Sequence, residues 1–385
     1  MKFMHLADLH LGRSLGDFDL IRDQKYILDQ ILDLMDEEAV DAVLIAGDVY
    51  DKSIPSEAAT SLLDSFLNRL AQKGVKTFMI SGNHDSDSRL NYGSAIFEGS
   101  GIYIGAIYNG ALAGYTLEKD GTAVNIFLLP FVKASQVRHY FPDEKIESYD
   151  DAVKVIIENA DIDPEEINLL VAHQFVTGGG EDPALSGSEG AGTKSVGLVE
   201  KISSSRFDLF DYAALGHIHS PQKVGRKEVR YAGSPLKYSL SEVNNAKSVP
   251  IITIEKKGEI KIDFRKLFPL RDMRHLRGEL TTLLKDENVT DTDDFIYVTL
   301  TDEDTIDSAM DIFRQTYPNT VKLDYDNSRT RAARQPDIAS ITADRSFEEL
   351  IGDFYRLVYG RDISEEEMEV MKMAAEEAGV TDETD

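Results

Sequence analysis

The chain has 385 residues, no cysteine, no tryptophan and a formal net charge of −28 at pH 7. That length allows a sizeable core and more than one domain, and the absence of thiols excludes disulfides and thiolate metal sites, so any metal must be held by His, Asn and carboxylate. The acidity argues against tight unaided binding of a polyanion, because affinity for nucleic acid draws on Lys and Arg displacing counterions.

The first residues enter a strand directly, with no charged region ahead of an apolar run, and no segment approaches ~18 consecutive apolar residues. A cytoplasmic, soluble protein with no membrane partner is expected. Residues 2–7 read as a strand, and Ile27, Leu28, Ile31, Leu32 and Met35 recur at helical spacing. Residues 41–46 form a buried-strand pattern. Pro55-Ser56 opens a helix marked by Ala58, Leu62, Leu63, Phe66, Leu67 and Leu70, and 75–81 is the next strand. Strand and helix alternate through this half, as in an α/β fold.

Strand-like runs at 124–129 and 168–172 flank a polar, partly helical stretch, and 177–193, rich in Gly, Ser and acid, reads as a mobile loop. Residues 212–215, 228–232, 250–255 and 259–264 are expected as strands of a second layer, which closes the first domain over 1–266. A small α+β unit follows over 267–326, with a helix at 273–284, a strand at 295–300, a helix at 305–316 and a strand at 321–325. Residues 327–346 read as a linker. Residues 347–385 hold two short amphipathic helices, too small for their own core, and an acidic tail.

Charge is segregated. Residues 364–385 carry nine acidic residues against Lys372 alone, whereas 256–277 carry eight basic against three acidic. Within that basic stretch Lys256, Lys257, Lys261, Arg265, Lys266 and Arg271 are candidate nucleic-acid contacts.

Five separated segments end in metal-ligand side chains: Asp8-Leu9-His10, Gly47-Asp48, Gly82-Asn83-His84-Asp85, His173 and Gly216-His217-Ile218-His219. Each alone has an ordinary reading as a turn, a helix cap or a core histidine. Five such endings, in this order and each after a strand-like run, describe one site, because the carboxyl ends of strands are where an open α/β sheet places its ligands. Phosphodiester hydrolysis needs a nucleophile made from water and neutralisation of charge on the phosphoryl oxygens, which two divalent ions ~3.5–4 Å apart supply. Such a pair needs a bridging carboxylate, and Asp48 is the candidate. Asp8 with His10, and His217 with His219, lie two apart, so on an extended segment each pair faces one side; Asn83 and His173 complete seven ligands. His84 would then point away from the metals toward the scissile phosphate, where a histidine can steady charge or protonate the leaving oxygen. Asp85 is expected to orient a neighbour. His5, His139 and His275 stay outside the site.

The stretches Asp8-Leu9-His10-Leu11-Gly12, Gly47-Asp48-Val49-Tyr50-Asp51, Gly82-Asn83-His84-Asp85, Ala172-His173-Gln174-Phe175 and Gly216-His217-Ile218-His219 resemble the calcineurin-like metallophosphoesterases. Ala172 through Glu181, and Tyr231-Ala232-Gly233-Ser234-Pro235, are similar to the SbcD subfamily of bacterial SbcCD repair nucleases. The resemblance covers the chain, weakening after Phe264. It implies a four-layer α/β domain of two mixed β-sheets flanked by helices, then an α+β capping domain over DNA and a C-terminal helix pair docked on an SbcC-like, SMC-type ATPase. It also implies two manganese ions, one held by Asp8, His10, Asp48 and His219 and the other by Asp48, Asn83, His173 and His217, with His84 acting on the phosphate. The implied activity is ATP-regulated exonuclease action on double strands and endonuclease action on single strands and hairpins, by a homodimer within a heterotetramer. Asp51 stands where archaeal and eukaryotic relatives often carry a histidine, so it is assigned only an orienting role. The alternatives are a metallophosphoesterase acting on nucleotides or phosphoproteins, and a scaffold without catalysis.

Overall fold

The computed structural model describes residues 1–179, 181–185, 200–328, 330–331, 351–352, 355–356 and 361–377. Most of the loop expected at 177–193, the linker and the first terminal helix lie outside the described residues. The chain divides into two compact units, Met1–Leu300 with Ile306–Asp324, and Thr301–Thr305 with Tyr325–Asp385.

Two six-stranded sheets organise the larger unit. The first has the order Glu259–Lys266, Ser248–Lys256, Lys2–Leu6, Ala42–Ala46, Lys76–Ile80, Ile102–Gly105. Its last four strands are parallel, and Ser248–Lys256 runs antiparallel to Lys2–Leu6. The second has the order Gln222–Val224, Arg226–Tyr231, Tyr212–Gly216, Asn168–His173, Thr122–Leu129, Ala113–Lys119, with four parallel central strands and an antiparallel strand at each edge.

Alternation along each strand sorts the core into layers, because neighbouring side chains point to opposite faces. Phe3, Leu44, Phe78, Val171, Tyr212 and Ala214 fill the space between the sheets. Met4, Val43, Ile45 and Met79 point the other way, into a cluster with Ile31 and Leu32 of the helix Ile21–Glu38 and with Phe66 and Leu70 of the helix Glu57–Lys73. Beyond the second sheet, Leu170, Ala213 and Leu215 meet Val137 of Ala134–Tyr140 and Val153 and Ile156 of Tyr149–Glu158. The result is helix, sheet, sheet, helix, the four layers expected. Ile31 is fully buried in the outer cluster, and trimming it to alanine should cost about 2–5 kcal/mol. The second helix begins as Pro55-Ser56 signals, with the Ser56 side chain accepting the Ala59 N–H.

Three local expectations are corrected. The hairpin Ser248–Lys256 and Glu259–Lys266 joins the first sheet, not the second, since Met4 and Lys2 register against Ile251 and Thr253. Its apolar run, buried on both faces, suits either layer, so period alone could not choose. The stretch 273–284 is a strand, Met273–Gly278, followed by one helical turn, Leu280–Leu283. Met273, Leu276, Leu280 and Leu283 mimic helical spacing, but pairing with Phe295–Leu300 and the glycine at 278 favour the extended form. The helix expected over 305–316 is shorter, Ala309–Thr316.

Those strands and Thr320–Tyr325 make a three-stranded sheet. Arg271 ion-pairs with buried Asp23 and lays its guanidinium over Phe295, 4.3 Å from the ring centre. The compact unit therefore runs past residue 266 without a break. In the smaller unit the Asn327 amide donates to the Asp302 carbonyl at 3.2 Å. There Ser364 and Glu367 cap the helix Glu365–Glu377 reciprocally, at 3.0 and 3.2 Å. Among the described residues no helix is long and apolar enough to cross a membrane.

Candidate metal centre

All five segments open from the carboxyl ends of parallel strands in the two sheets. Asp8 and His10 follow Lys2–Leu6, Asp48 follows Ala42–Ala46 and Asn83 follows Lys76–Ile80, while His173 ends Asn168–His173 and His217 and His219 follow Tyr212–Gly216. The two-apart pairs converge as expected, but not on the extended backbone expected of them. Asp8, His10, Asp48 and His217 have φ of 53°, 42°, 48° and 98°, a left-handed conformation that costs roughly 1–3 kcal/mol at a non-glycine residue. Glycines let the loops approach. A Cβ on Gly216 would sit 1.9 Å from the Ala46 carbonyl oxygen, and one on Gly82 would sit 2.1 Å from Asp48 Oδ1.

The ligand atoms form two groups around one oxygen. His10 Nε2 lies 3.1 Å from His219 Nε2 and 3.5 Å from Asp48 Oδ2. On the other side, Asn83 Oδ1 is 2.9 Å from His217 Nδ1 and 3.1 Å from His173 Nε2, which is 3.4 Å from the same Asp48 Oδ2. Donors ~2.1 Å from one ion lie ~3.0 Å apart at right angles and ~3.4 Å apart at tetrahedral angles, so these spacings would suit ligands of a shared cation. Asp8 Oδ1 accepts the His217 N–H at 2.9 Å, and its Oδ2 is buried without a hydrogen-bond partner among the described residues. A cation would satisfy that oxygen and the facing imidazole lone pairs of His10 and His219. The cluster is thus suited to a dinuclear metal site.

Electrostatics point the same way. Burial pushes the Asp8 carboxyl up to about 6. Burial also holds His10 well below the usual histidine range, and burial with the neighbouring His173 charge pushes His217 down to about 3. Asp48 stays well below the carboxylate range, because the histidines around it outweigh its burial. Burial would lower His173, but Asp48, Asp8 and the Ala46 carbonyl raise it to about 9. The Nδ1–H of His173 donates to that carbonyl at 2.7 Å, which turns Nε2 toward Asp48 and Asn83.

His84 is anchored by two bonds: its backbone N–H donates to Asp48 Oδ1 at 2.9 Å and its Nδ1–H to the Asp51 carbonyl at 3.0 Å. Its ring stands edge-on to His10, centres 4.9 Å apart. Asp85 accepts the N–H groups of Gly82, Val49 and Tyr50 at 2.9, 3.0 and 2.8 Å, tying the Asp48 loop to the Asn83 loop. Asp51 Oδ1 lies 3.6 Å from His10 Nδ1 and 3.0 Å from Arg13 Nη1.

Sequence reading missed the residues behind His219. Glu242, Lys247 and Ser234 are buried there, and buried Tyr238 stands edge-on to His10 and His219. Of these, only Ser234 falls in a stretch that carried a family signal.

The six basic candidates do not gather at the cluster. Since Ile251 registers with Met4 and Thr253 with Lys2, the turn after Lys256 lies at the opposite end of the sheet, with Lys257 and Lys261. Lys256, Lys257, Lys261, Arg265 and Arg271 pair with Glu259, Asp211, Asp263, Glu38 and Asp23. His5 lies between the sheets, 3.0 Å from the Tyr212 hydroxyl.

Residues 1–221 match the calcineurin-like phosphoesterase family, and residues 269–359 match the type 5 capsule protein repressor C-terminal domain. Over 327 residues the chain is 36% identical to the SbcD component of the SbcCD nuclease of Staphylococcus epidermidis, covering 84% of this chain and 85% of that one. A dimetal phosphatase from Danio rerio aligns over 69% of this chain and 96% of its own, at 12% identity and a TM-score of 0.38. The chain belongs to the calcineurin-like phosphoesterases and, among them, to the SbcD nuclease subunits, metal-dependent phosphodiesterases.

Proposed function

We propose that this chain cleaves DNA phosphodiester bonds with two divalent ions, manganese in the working enzyme. One ion is assigned to Asp8, His10, Asp48 and His219 and the other to Asp48, Asn83, His173 and His217. The observation that carries this reading is Asp48 Oδ2, 3.5 Å from an imidazole nitrogen of one group and 3.4 Å from one of the other. Bound ions would supply a water ionised at neutral pH and would offset charge on the phosphoryl oxygens.

The chain's own residues do the rest. Nδ1–H of His84 is committed to the Asp51 carbonyl, which leaves Nε2 as the ring nitrogen that would act on the leaving oxygen. Asp85 fixes the spacing of the two loops that carry Asp48 and Asn83, and Asp51 orients His10 through Nδ1.

The assembly follows the relatives. We assign double-strand exonuclease and single-strand or hairpin endonuclease activity, in a cytoplasmic homodimer joined to an SbcC-like, SMC-type ATPase. Residues 267–326 would cap the DNA, and 347–385 would dock on the ATPase. Within the basic stretch, Lys266 registers with Ser248 at the site end of the hairpin and is the best placed to meet a duplex. A phosphoesterase acting on nucleotides would use the same metal cluster, so substrate decides between the two. The test compares duplex ends, hairpins and a nucleotide ester, with manganese, with and without the ATPase. Preferential cleavage of DNA supports the nuclease reading; hydrolysis of the nucleotide ester alone overturns it.

A further inference from the structure

Behind His219 lies a buried charged network that catalysis as described does not use. Glu242 is fully buried, with Oε1 3.6 Å from His219 Nδ1 and accepting the Tyr238 N–H at 3.2 Å. Its Oε2 meets the Lys247 ammonium and lies 3.3 Å from Ser234 Oγ. Lys247, also buried, donates to Ser234 Oγ at 2.8 Å and to the His219 carbonyl at 3.1 Å. His219 is thus held at its ring and at its backbone by one loop, and Tyr238 of the same loop donates to the Leu9 carbonyl, between Asp8 and His10.

Stability alone does not account for such a network, because a buried carboxylate and ammonium lose so much hydration that apolar residues of similar size often serve the fold as well. A carboxylate on the far nitrogen of an imidazole fixes the tautomer and makes the near nitrogen a better metal donor. Here the near nitrogen is His219 Nε2, 3.1 Å from His10 Nε2. Among the described residues the second group has no carboxylate in that place: His173 Nδ1 meets the neutral Ala46 carbonyl and His217 Nδ1 itself faces Asn83.

We propose that Glu242, clamped by Lys247 and Ser234, is a positioning residue that holds His219 Nε2 toward the ion shared with Asp8 and His10. This rests on the two-metal reading and extends it to one half of the site. Glu242→Gln keeps the shape and removes the charge. A second variant, Glu242→Gln with Lys247→Met, removes both charges, so that a buried unpaired ammonium does not confuse folding with binding.

The experiment titrates manganese into the whole protein and the two variants by calorimetry, then locates the ions by anomalous scattering at limiting manganese. Parent protein should bind two ions. At least one folded variant should bind the ion beside Asn83, His173 and His217 with parent affinity and the ion beside His219 roughly ten- to a hundred-fold more weakly. Unchanged affinity at both positions, equal weakening at both, or failure of both variants to fold would overturn the proposal in favour of a purely structural network. A parent that binds no ions would bring down the two-metal reading itself.

Discussion

The two ends of the first sheet handle charge in opposite ways. At the carboxyl ends of its parallel strands, loops with left-handed backbone at Asp8, His10 and Asp48 crowd buried polar atoms together, and Asp8 Oδ2 has no hydrogen-bond partner among the described residues. At the other end, Lys256 and Lys261 sit on an ordinary hairpin, each paired with a nearby acid on the surface. Surface pairs of that kind contribute roughly 0–1 kcal/mol. Strain and desolvation are concentrated where chemistry is expected, and the basic patch that charge counting favoured is mostly matched by its own acids.

The sharpest way to break this contrast is to remove the shared oxygen. Asp48→Ala should lose both ions by calorimetry and reduce cleavage by roughly 10³-fold or more; a variant that kept two ions would show that Asp48 is no bridge. His84→Ala should come next, with cleavage down roughly 10²- to 10⁴-fold and manganese stoichiometry unchanged. Loss of metal in that variant would make His84 a ligand.

Acid should separate the two ends as well. The metal-free protein holds the His173 proton up to about 9, above the ordinary value near 6.5. A raised value stabilises the fold fully below about 6.5 and loses that contribution as pH rises through 9. Manganese must displace this proton, so affinity should climb up to about tenfold per pH unit between about 6.5 and 9, with proton release seen in buffers of differing ionisation heat. Below about 6 the Asp8 carboxyl takes up a proton too and weakens binding further. A pH-independent affinity would contradict the assignment of His173.

Asp85→Ala strands three backbone N–H groups and should cost about 3 kcal/mol in urea denaturation, with metal affinity falling as the two loops separate. At the far end, Lys256→Ala with Lys261→Ala should shift stability by about 0.5 kcal/mol or less and leave DNA cleavage unchanged. A large loss of cleavage there would restore the basic hairpin as a DNA surface.

The legible parts of the sequence were those in which chemistry and local pattern coincide. Asp8, His10, Asp48, Asn83, His173, His217 and His219 stand at fixed offsets from strands whose apolar runs are visible, so both the strands and their meeting point could be read. The hairpin at 248–266 was harder, because a run apolar on both faces does not say which sheet it joins. Met273 and Leu276 fell at helical spacing by coincidence, and only pairing with Phe295–Leu300 reveals the strand. Glu242 and Lys247 carry no spacing at all, since they reach His219 through a folded loop after Tyr231.

The most direct measurement is an anomalous difference map from crystals grown with manganese. Two peaks ~3.5–4 Å apart, with Asp48 Oδ2 between them, His10 and His219 at one and His173, His217 and Asn83 at the other, are what the account predicts. One peak, or two that do not share Asp48, would contradict it.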